Sequence, residues 1–264
     1  MQKRFHLLAR SFLWITALSG MALGEEQVPV TGMVGARFHV SDLAKARQFY
    51  AKVFGFQEKS GTGPGLVAFQ INSQQYVEFS ASESGGSADP LEIIVFGTSK
   101  KPSAPLKDQD GRRVEFVESV AGARGFKAGE RSISDHLLHV GLGTTDLKRA
   151  IEFYAGHFGC KEIWRGPTPA DFRIVILRVP GPREDFVEFL LRDQPGSPDH
   201  ICLDVPDIQR AYQTLVDRGA TTRGKPRIAS NGHWVLNLVD PNGIRVELME
   251  PQPAANSKRQ WPTQ

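Results

Sequence analysis

The segment DLKRAIEFYAGHFGCKE at residues 146–162 repeats the segment DLAKARQFYAKVFGFQE at residues 42–58, with an offset of 104 residues. Nine of the 17 aligned positions are identical, which is far more than chance gives for one composition. Both copies have the apolar spacing of an amphipathic helix, an aspartate at the N-cap position and a glycine where the helix would end. A repeat of this length predicts that the chain is built from copies of one structural unit.

A shorter motif marks the end of each copy of the unit. A glutamate inside an apolar strand occurs four times, as Val77-Glu78-Phe79, Val114-Glu115-Phe116, Val187-Glu188-Phe189 and Val246-Glu247-Leu248. An apolar strand also precedes each of the two matched helices, and hairpin-type Asp-Gly and Asn-Gly turns precede two of the glutamate strands. The predicted fold class is therefore α+β, with four tandem βαβββ modules.

The second module is predicted to be truncated. Only 23 residues separate Glu92, in its predicted first strand at 91–96, from Glu115, whereas 47 residues separate His200 from Glu247 in module four. Residues 97–108 are polar and carry prolines, which indicates a loop in place of one helix and one strand. The predicted organisation is an N-terminal half at 33–117, a linker at 118–135, a C-terminal half at 136–250 and a disordered tail at 251–264.

Composition places the chain among globular proteins and limits its partners. Its 264 residues are 40% hydrophobic and 23% charged, with a formal charge of +3 that is too small to indicate a nucleic-acid partner. Two cysteines exclude a disulfide scaffold and a cysteine-rich zinc module. The body of the chain has no apolar run of the length that a spanning helix requires.

Residues 1–24 have the pattern of a secretory signal peptide. Lys3, Arg4 and Arg10 precede an apolar stretch, and Ala22-Leu23-Gly24 fits a signal-peptidase site. The pattern predicts an exported protein, periplasmic or secreted, that is not stably inserted in the membrane after cleavage. An uncleaved membrane anchor is the alternative, for which the apolar run is short. In an oxidising compartment Cys160 and Cys202 could be bridged or could remain buried free thiols, and the sequence leaves both open.

Two histidines occupy equivalent positions in modules three and four. His139 lies in the strand LLHVGL and His200 begins the strand HICLDV, and each module also contains its strand glutamate, Glu188 or Glu247. A buried carboxylate must be solvated, paired with a base or bound to a metal, because burying it alone is costly. Two imidazoles and two carboxylates suit zinc, nickel, manganese or ferrous iron. Taken singly, structural histidines and outward-facing glutamates are the alternative interpretation.

The module order and four segments, DLKRAIEFYAGHFGC, DFVEFL, DHICLDVPD and VDPNGIRVELME, resemble the vicinal oxygen chelate superfamily. That superfamily includes glyoxalase I, extradiol ring-cleaving dioxygenases, epimerases and thiol-transfer resistance proteins. The resemblance covers about residues 33–250 and is densest over 136–250. It implies two incompletely closed mixed-sheet barrels, each made from a pair of modules. It also implies one divalent metal ion bound by His139, Glu188, His200 and Glu247.

The N-terminal half departs from the family's ligand pattern. Gly35 stands at the position equivalent to His139, and Glu92 is interpreted as the counterpart of His200, although Glu78 and Glu115 are retained. A glycine has no side chain with which to bind a metal, so we expect no complete metal site in this half. Arg37 and His39 share a strand face with Gly35, and a solvent-facing strand is favoured there over a vestigial pocket.

The resemblance implies a glyoxalase-type isomerase or lyase that acts on a small molecule with vicinal oxygens. In this type the metal acts as a Lewis acid, and Glu247 or Glu188 serves as the proton-shuttling base. An extradiol-type dioxygenase with ferrous iron on His139, His200 and Glu247 is the second candidate. The four modules favour it, but Asn237 stands where those enzymes carry a tyrosine. A non-catalytic protein that binds or sequesters a small molecule is the third candidate.

Three further side chains are weaker candidates for substrate binding. His233 and Trp234 enter a strand of the C-terminal half, and Arg165 follows the helix of module three. Packing in the core and simple solvent exposure are the alternatives for these residues. His136 is expected to lie on the strand face opposite His139 and not to bind the metal. A homodimer is a candidate assembly, because truncation of module two can expose a sheet edge.

Overall fold

The computed structural model describes residues 27–59, 63–82, 90–118, 128–193 and 199–254. The signal peptide predicted at 1–24 lies outside these residues, as do residues 119–127 of the predicted linker and 255–264 of the predicted tail. No helix in the described ranges is long and apolar enough to cross a membrane.

The N-terminal half forms one mixed sheet of seven strands, in the order β2-β3-β4-β1-β5-β7-β6. Module one contains β1 (Val30–Val40), α1 (Leu43–Arg47), β2 (Gln57–Glu58), β3 (Leu66–Gln70) and β4 (Tyr76–Ala81), with α1 continuing as a π-helix over Gln48–Val53. Module two contains β5 (Leu91–Thr98), β6 (Leu106–Lys107) and β7 (Arg113–Glu118).

The C-terminal half forms the second mixed sheet, of eight strands in the order β13-β14-β15-β12-β8-β11-β10-β9. Module three contains β8 (Leu137–Thr144), α2 (Leu147–Phe158), β9 (Lys161–Pro167), β10 (Phe172–Arg178) and β11 (Phe186–Leu191). Module four contains β12 (His200–Asp204), α3 (Ile208–Asp217), β13 (Arg227–Ile228), β14 (His233–Val239) and β15 (Arg245–Pro253). The predicted α+β fold of tandem βαβββ modules is confirmed.

Module two is shortened in a way that differs from the prediction in one detail. Residues 90–118 contain no helix, as predicted, but the segment expected to be a loop holds the end of β5 and the two-residue strand β6. The strand that was expected to be absent is therefore present with only two residues. At the other end of the chain β15 runs to Pro253, so the first residues of the predicted tail belong to the last strand.

The repeated segments form helices with the predicted caps. The Asp146 side chain accepts a hydrogen bond from the Arg149 amide, and Gly159 ends α2 in the left-handed region at φ 69°. One face of α2 is buried, and its Tyr154 ring packs edge-on against Phe189 of β11 at 4.9 Å between ring centroids. Because Phe189 and Glu188 are neighbours on β11, α2 covers the sheet face opposite to that of Glu188.

The two halves meet where β1 lies beside β8. At equivalent positions of the two strands, a backbone amide donates a hydrogen bond to a side chain of the other half. The Met33 amide donates to the Asp185 carboxylate at 2.9 Å, and the Leu137 amide donates to the Gln75 side-chain carbonyl at 2.9 Å. Met33 and Leu137 are separated by the repeat offset of 104 residues. The halves therefore pack against each other as two copies of one unit.

Candidate metal centre

Four adjacent strands of the C-terminal sheet each carry one of the four predicted ligands. Their order is β15-β12-β8-β11, which brings Glu247, His200, His139 and Glu188 onto neighbouring strands. The strands β8 and β12 pair with each other, and each pairs on its other side in parallel with the glutamate strand of its own module. The internal repeat therefore creates the cluster, because equivalent strands of modules three and four meet at the centre of the sheet.

Strand register places these side chains in two rows across the sheet. In one row His139 is opposite Cys202, and Cys202 is opposite Glu247. In the next row Glu188 is opposite Gly141, Gly141 is opposite His200, and His200 is opposite Arg245. Residues two apart on a strand share a face, so both rows point to the same side of the sheet.

Gly141 makes room for the His200 ring. A Cβ atom built on Gly141 would overlap the imidazole of His200, which lies across the strand at that point. The ring can therefore extend over β8 toward Glu188 only because residue 141 has no side chain.

The ligand atoms converge in the interior. The Nε2 atoms of His139 and His200 are 3.1 Å apart, and Glu188 Oε2 lies 3.4 Å from His200 Nε2 and 3.9 Å from His139 Nε2. A second group shares His139 and adds Cys202 and Glu247, with its three ligand atoms within 4.8 Å of one another. Both histidines are fully buried, and both glutamates are nearly so.

With no cation bound, the surroundings keep His139 in the neutral form that a metal ligand needs, and they favour the protonated form of Glu188. Burial, and next the positive charge of Arg245, hold the pKa of His139 well below its usual range, so its imidazole is neutral. The Phe186 ring stacks on this imidazole at 4.5 Å. Burial, and next the Glu247 carboxylate, raise the pKa of Glu188 above its usual range. A cation bound among these groups would stabilise the ionised form of Glu188.

Arg245 fixes Glu247. Its Nη2 donates to Glu247 Oε2 at 2.8 Å, and its Nε donates to the Asn237 side-chain oxygen at 2.7 Å. Glu247 is therefore held in one orientation with an ion-pair partner, whereas Glu188 faces the two imidazoles. Alternation along the strand predicts that Arg245 and Glu247 share a face, but Arg245 was not among the predicted site residues.

The donor set fits a divalent metal ion. It offers imidazole nitrogen and carboxylate oxygen from four strands, and His139 Nδ1 is buried without a hydrogen-bond partner among the described residues. Mixed nitrogen and oxygen donors suit zinc, manganese, nickel and ferrous iron. His139, Glu188, His200 and Glu247 are the residues that would hold such an ion.

A cavity of about 320 Å³ lies beside the cluster. Phe186, which stacks on His139, forms one wall, and Met249, on the same strand as Glu247, forms another. The remaining lining is Leu138, Ile163, Trp164, Ile176, Arg178, Glu184, Asn231, His233 and Pro251. The walls are mostly apolar with charged groups among them, as in pockets for small molecules.

Only one of the three weaker substrate-binding candidates lines this cavity. His233 does, and its Nδ1 also lies 2.9 Å from the Glu250 backbone oxygen. Trp234 packs into the main hydrophobic core instead, because successive residues of a strand point to opposite faces. Arg165 pairs with Glu162 and covers the Phe172 ring. Its neighbour Trp164 lines the cavity. Alternation along β9 separates the two side chains, but the sequence does not show which face of β9 points to the cavity.

The N-terminal counterpart of the centre corrects one predicted correspondence. Ile93 lies opposite both Arg37 and Arg113, which is the register that His200 has with Gly141 and Arg245. Ile93, and not Glu92, is therefore the equivalent of His200. The prediction was wrong by one residue because it relied on counting without knowledge of the strand register. With Gly35 at the other histidine position, neither equivalent residue can bind a metal through its side chain.

Arg37 occupies the position of Gly141 in this half. Its guanidinium donates to Glu78 Oε2 from Nε at 2.9 Å and from Nη2 at 2.8 Å. Arg37 is half-buried and ion-paired, so the solvent-facing strand favoured from the sequence is wrong at this residue. A protein cation thus binds the glutamate that corresponds to Glu188.

His136 stays outside the ligand cluster, as expected. Its Nδ1 lies 2.7 Å from Asp204 Oδ2, and its Nε2 lies 2.7 Å from Asp185 Oδ1. Burial opposes its protonation, but the hydrogen-bonded Asp185 and Asp204 carboxylates outweigh burial and raise the pKa of His136 to about 9. The residue is a partly buried cation that joins the start of β8 to the start of β11 and the end of β12.

Both cysteines are free and buried, which answers the question that the sequence left open. Cys160 lies in the main core, and burial raises its pKa to about 12. Cys202 lies in the ligand row between His139 and Glu247. This placement was not predicted, because the apolar pattern around Cys202 indicated only a buried strand residue.

Comparison with known proteins finds a family model that matches the C-terminal half and two relatives in sequence. The family model described as the Glyoxalase/Bleomycin resistance protein/Dioxygenase superfamily matches residues 136–248. An ethylmalonyl-CoA/methylmalonyl-CoA epimerase of Cereibacter sphaeroides is 32% identical over 127 residues, which are 42% of this chain and 95% of that protein. A mitochondrial methylmalonyl-CoA epimerase of Dictyostelium discoideum is 29% identical over 128 residues, which are 43% of this chain and 77% of that protein.

Solved structures share the fold over most of the chain. The 2,3-dioxygenase LapB from Pseudomonas sp. KL28 has a TM-score of 0.69 at 14% identity, covering 89% of this chain and 98% of that one. The Mn(II)-bound glyoxalase from Novosphingobium aromaticivorans has a TM-score of 0.69 at 18% identity, covering 85% and 83%. The chain therefore belongs to the vicinal oxygen chelate superfamily, which unites glyoxalases, bleomycin resistance proteins and ring-cleaving dioxygenases.

Proposed function

We propose that the C-terminal half is a metal-dependent enzyme of the isomerase type, which moves a proton at a carbon beside a carbonyl group. Its substrate is a small molecule with two neighbouring oxygens. The observation that carries this proposal is the placement of two carboxylates, Glu188 and Glu247, around the paired imidazoles of His139 and His200 beside a cavity. Proton transfer needs such positioned carboxylates, and a metal centre needs the imidazoles.

The ligands would hold zinc, nickel, manganese or ferrous iron, which would act as a Lewis acid toward the oxygens of the substrate.

The two carboxylates are suited to different roles. Arg245 pairs with Glu247 and fixes its orientation, so Glu247 is the candidate base. Glu188 reaches the two imidazoles from β11, at the other end of the four strands from β15, so it is the candidate that returns the proton.

The epimerase version of this chemistry has support from the relatives. Both proteins similar in sequence are named as epimerases of malonyl-type coenzyme A esters, a reaction that exchanges a proton at one carbon. The apolar walls formed by Trp164, Phe186 and Met249 would accept the acyl part of a substrate. Isomerisation of a hemithioacetal, as in glyoxalases, uses the same proton transfer.

Solvent deuterium exchange tests the proposal. The metal-loaded protein is incubated in deuterium oxide with methylmalonyl-CoA, and separately with a hemithioacetal, and the substrate carbon is followed by NMR. We expect exchange with the wild-type protein and its loss in Glu247→Gln, while Glu162→Gln on the outer surface serves as the control. Absence of exchange with both substrates under metal-loaded conditions would contradict the isomerase assignment for these substrate classes.

Two alternatives have distinct readouts. A dioxygenase would hold ferrous iron on His139, His200 and Glu247 and would consume oxygen with catechols. The four-module layout, shared with LapB over 98% of that chain, favours it at the level of fold. The residue at position 237 argues against it, because dioxygenases of that type are expected to have a tyrosine there and this chain has Asn237. The side-chain oxygen of Asn237 accepts a hydrogen bond from Arg245. Tight ligand binding without exchange or oxygen uptake would indicate a sequestering protein.

We also propose that the protein is exported after cleavage before Glu25 and acts as a homodimer. The basic and apolar pattern of residues 1–24 supports export. The short strand β6 at the edge of the N-terminal sheet supports pairing between two chains. N-terminal sequencing of protein from the cell fractions tests the first proposal, and light scattering tests the second.

A further inference from the structure

We propose that Cys202 is a further ligand of the metal centre and supplies a thiolate to thiophilic divalent ions such as zinc and cobalt. The inference rests on the metal centre of the proposed function. It concerns a residue that belongs to neither the histidine pair nor the glutamate pair.

Position is the first argument. Cys202 lies directly opposite His139 on one neighbouring strand and directly opposite Glu247 on the other. The ligand atoms of these three residues lie within 4.8 Å of one another, and Cys202 and His139 are fully buried. A single ion could therefore contact sulfur, nitrogen and oxygen donors from three adjacent strands.

Hydrogen bonding does not explain a thiol at this point. Cys202 Sγ has the Leu203 backbone oxygen at 3.9 Å, which is a weak interaction for a sulfur donor. Its surroundings are also unlike those of Cys160, which lies in the main core. Cys202 instead lies between His139 and Glu247 in one row of the sheet.

The internal repeat provides a comparison within the same chain. In the N-terminal half the residue that pairs with both Gly35 and Glu115 is Val95, so Val95 is the equivalent of Cys202. That half has Gly35 and Ile93 in place of the two histidines. The sulfur donor is thus present in the half that has imidazole donors and is replaced by an apolar side chain in the half that lacks them.

The chemistry is a ligand exchange without oxidation or reduction. On binding, the Cys202 thiol loses its proton to solvent, and the sulfur donates an electron pair to the metal ion. Thiolate donors favour zinc and similar ions over manganese and magnesium, which prefer oxygen. Cys202 would therefore shift the metal preference of the centre toward thiophilic ions.

Cobalt(II) spectroscopy of the full chain tests the proposal. The chain has two cysteines, so in Cys160→Ser the only thiol is Cys202. We expect a thiolate-to-cobalt charge-transfer band in the near ultraviolet for the wild type and for Cys160→Ser. The band should disappear in Cys202→Ser, while weaker cobalt absorption persists because His139, Glu188 and His200 remain.

Zinc affinity gives an independent readout. Even a residue that only orients a ligand is worth about 10–100-fold in metal affinity, so Cys202→Ser should weaken zinc binding by at least about tenfold. Cys160→Ser should leave zinc affinity unchanged. If Cys202→Ser does not fold, the spectrum of Cys160→Ser decides alone.

Bound cobalt without a charge-transfer band in Cys160→Ser would overturn the proposal. Failure of the wild type to bind cobalt or zinc would overturn it together with the metal centre. The experiment tests the ligand proposal separately from the isomerase assignment, because the charge-transfer band does not depend on turnover. A band without deuterium exchange would reject the proposed function and keep the ligand, and exchange without a band would do the reverse.

Discussion

Gly141 lies directly opposite His200 in the antiparallel pairing of β8 with β12, and the imidazole occupies the space that a side chain on Gly141 would need. This relationship sets the geometry of the centre. It lets one histidine reach across a strand to the carboxylate of Glu188 on the strand beyond, at 3.4 Å. In the N-terminal half Arg37 stands at the same position and binds Glu78 itself.

Replacing Gly141 by alanine should displace the His200 ring. We expect Gly141→Ala to lower the free energy of unfolding by about 1–3 kcal/mol, as for other overpacked sites, and to weaken metal binding strongly. Urea unfolding of the metal-free protein and a zinc titration measure the two effects. Gly63→Ala is the control, because nothing lies within 4 Å of a Cβ at that position. Unchanged zinc affinity in Gly141→Ala would show that His200 does not bind the ion.

The two arginine–glutamate pairs of the repeat should differ in strength. The side chains of Arg245 and Glu247 are 16% and 7% exposed, whereas those of Arg113 and Glu115 are 49% and 36% exposed. Loss of one partner from a buried pair costs about 3–5 kcal/mol, and an exposed pair is worth up to about 1 kcal/mol. Unfolding of metal-free Arg245→Met and Arg113→Met checks this. Equal losses in the two variants would contradict the difference in burial.

The stability of the protein should fall at alkaline pH because of His136. Its folded pKa is about 9 and its unfolded value is about 6.5, so charged His136 stabilises the folded state by about 3 kcal/mol. Because the folded pKa is raised, this contribution is complete below about pH 6.5 and is lost as the pH rises through about 9. Unfolding at about pH 6 and pH 10 measures it. The fall should be smaller in His136→Gln, and an identical fall in that variant would reject the assignment.

Repetition made much of the fold and the approach of His139 to His200 predictable. The paired helices and the offset between equivalent strands identify His139 and His200 from the amino-acid sequence alone. The counterpart of His200 in module two was wrong, because the pairing of β5 with β1 contains register shifts that a sequence does not show. The direction in which Trp164 and Trp234 point depends on which face of each strand lines the cavity, and alternation alone cannot decide this. Alternation from His200, in contrast, would have placed Cys202 on the ligand face.

Metal stoichiometry of the purified chain tests the central claim most directly. Wild-type protein, reconstituted with zinc and freed of excess metal, should contain one ion per chain, bound in the C-terminal half. The double variant His139→Ala/His200→Ala should contain none, while His157→Ala on α2 should match the wild type. Equal metal content in the double variant and the wild type would contradict the centre described here.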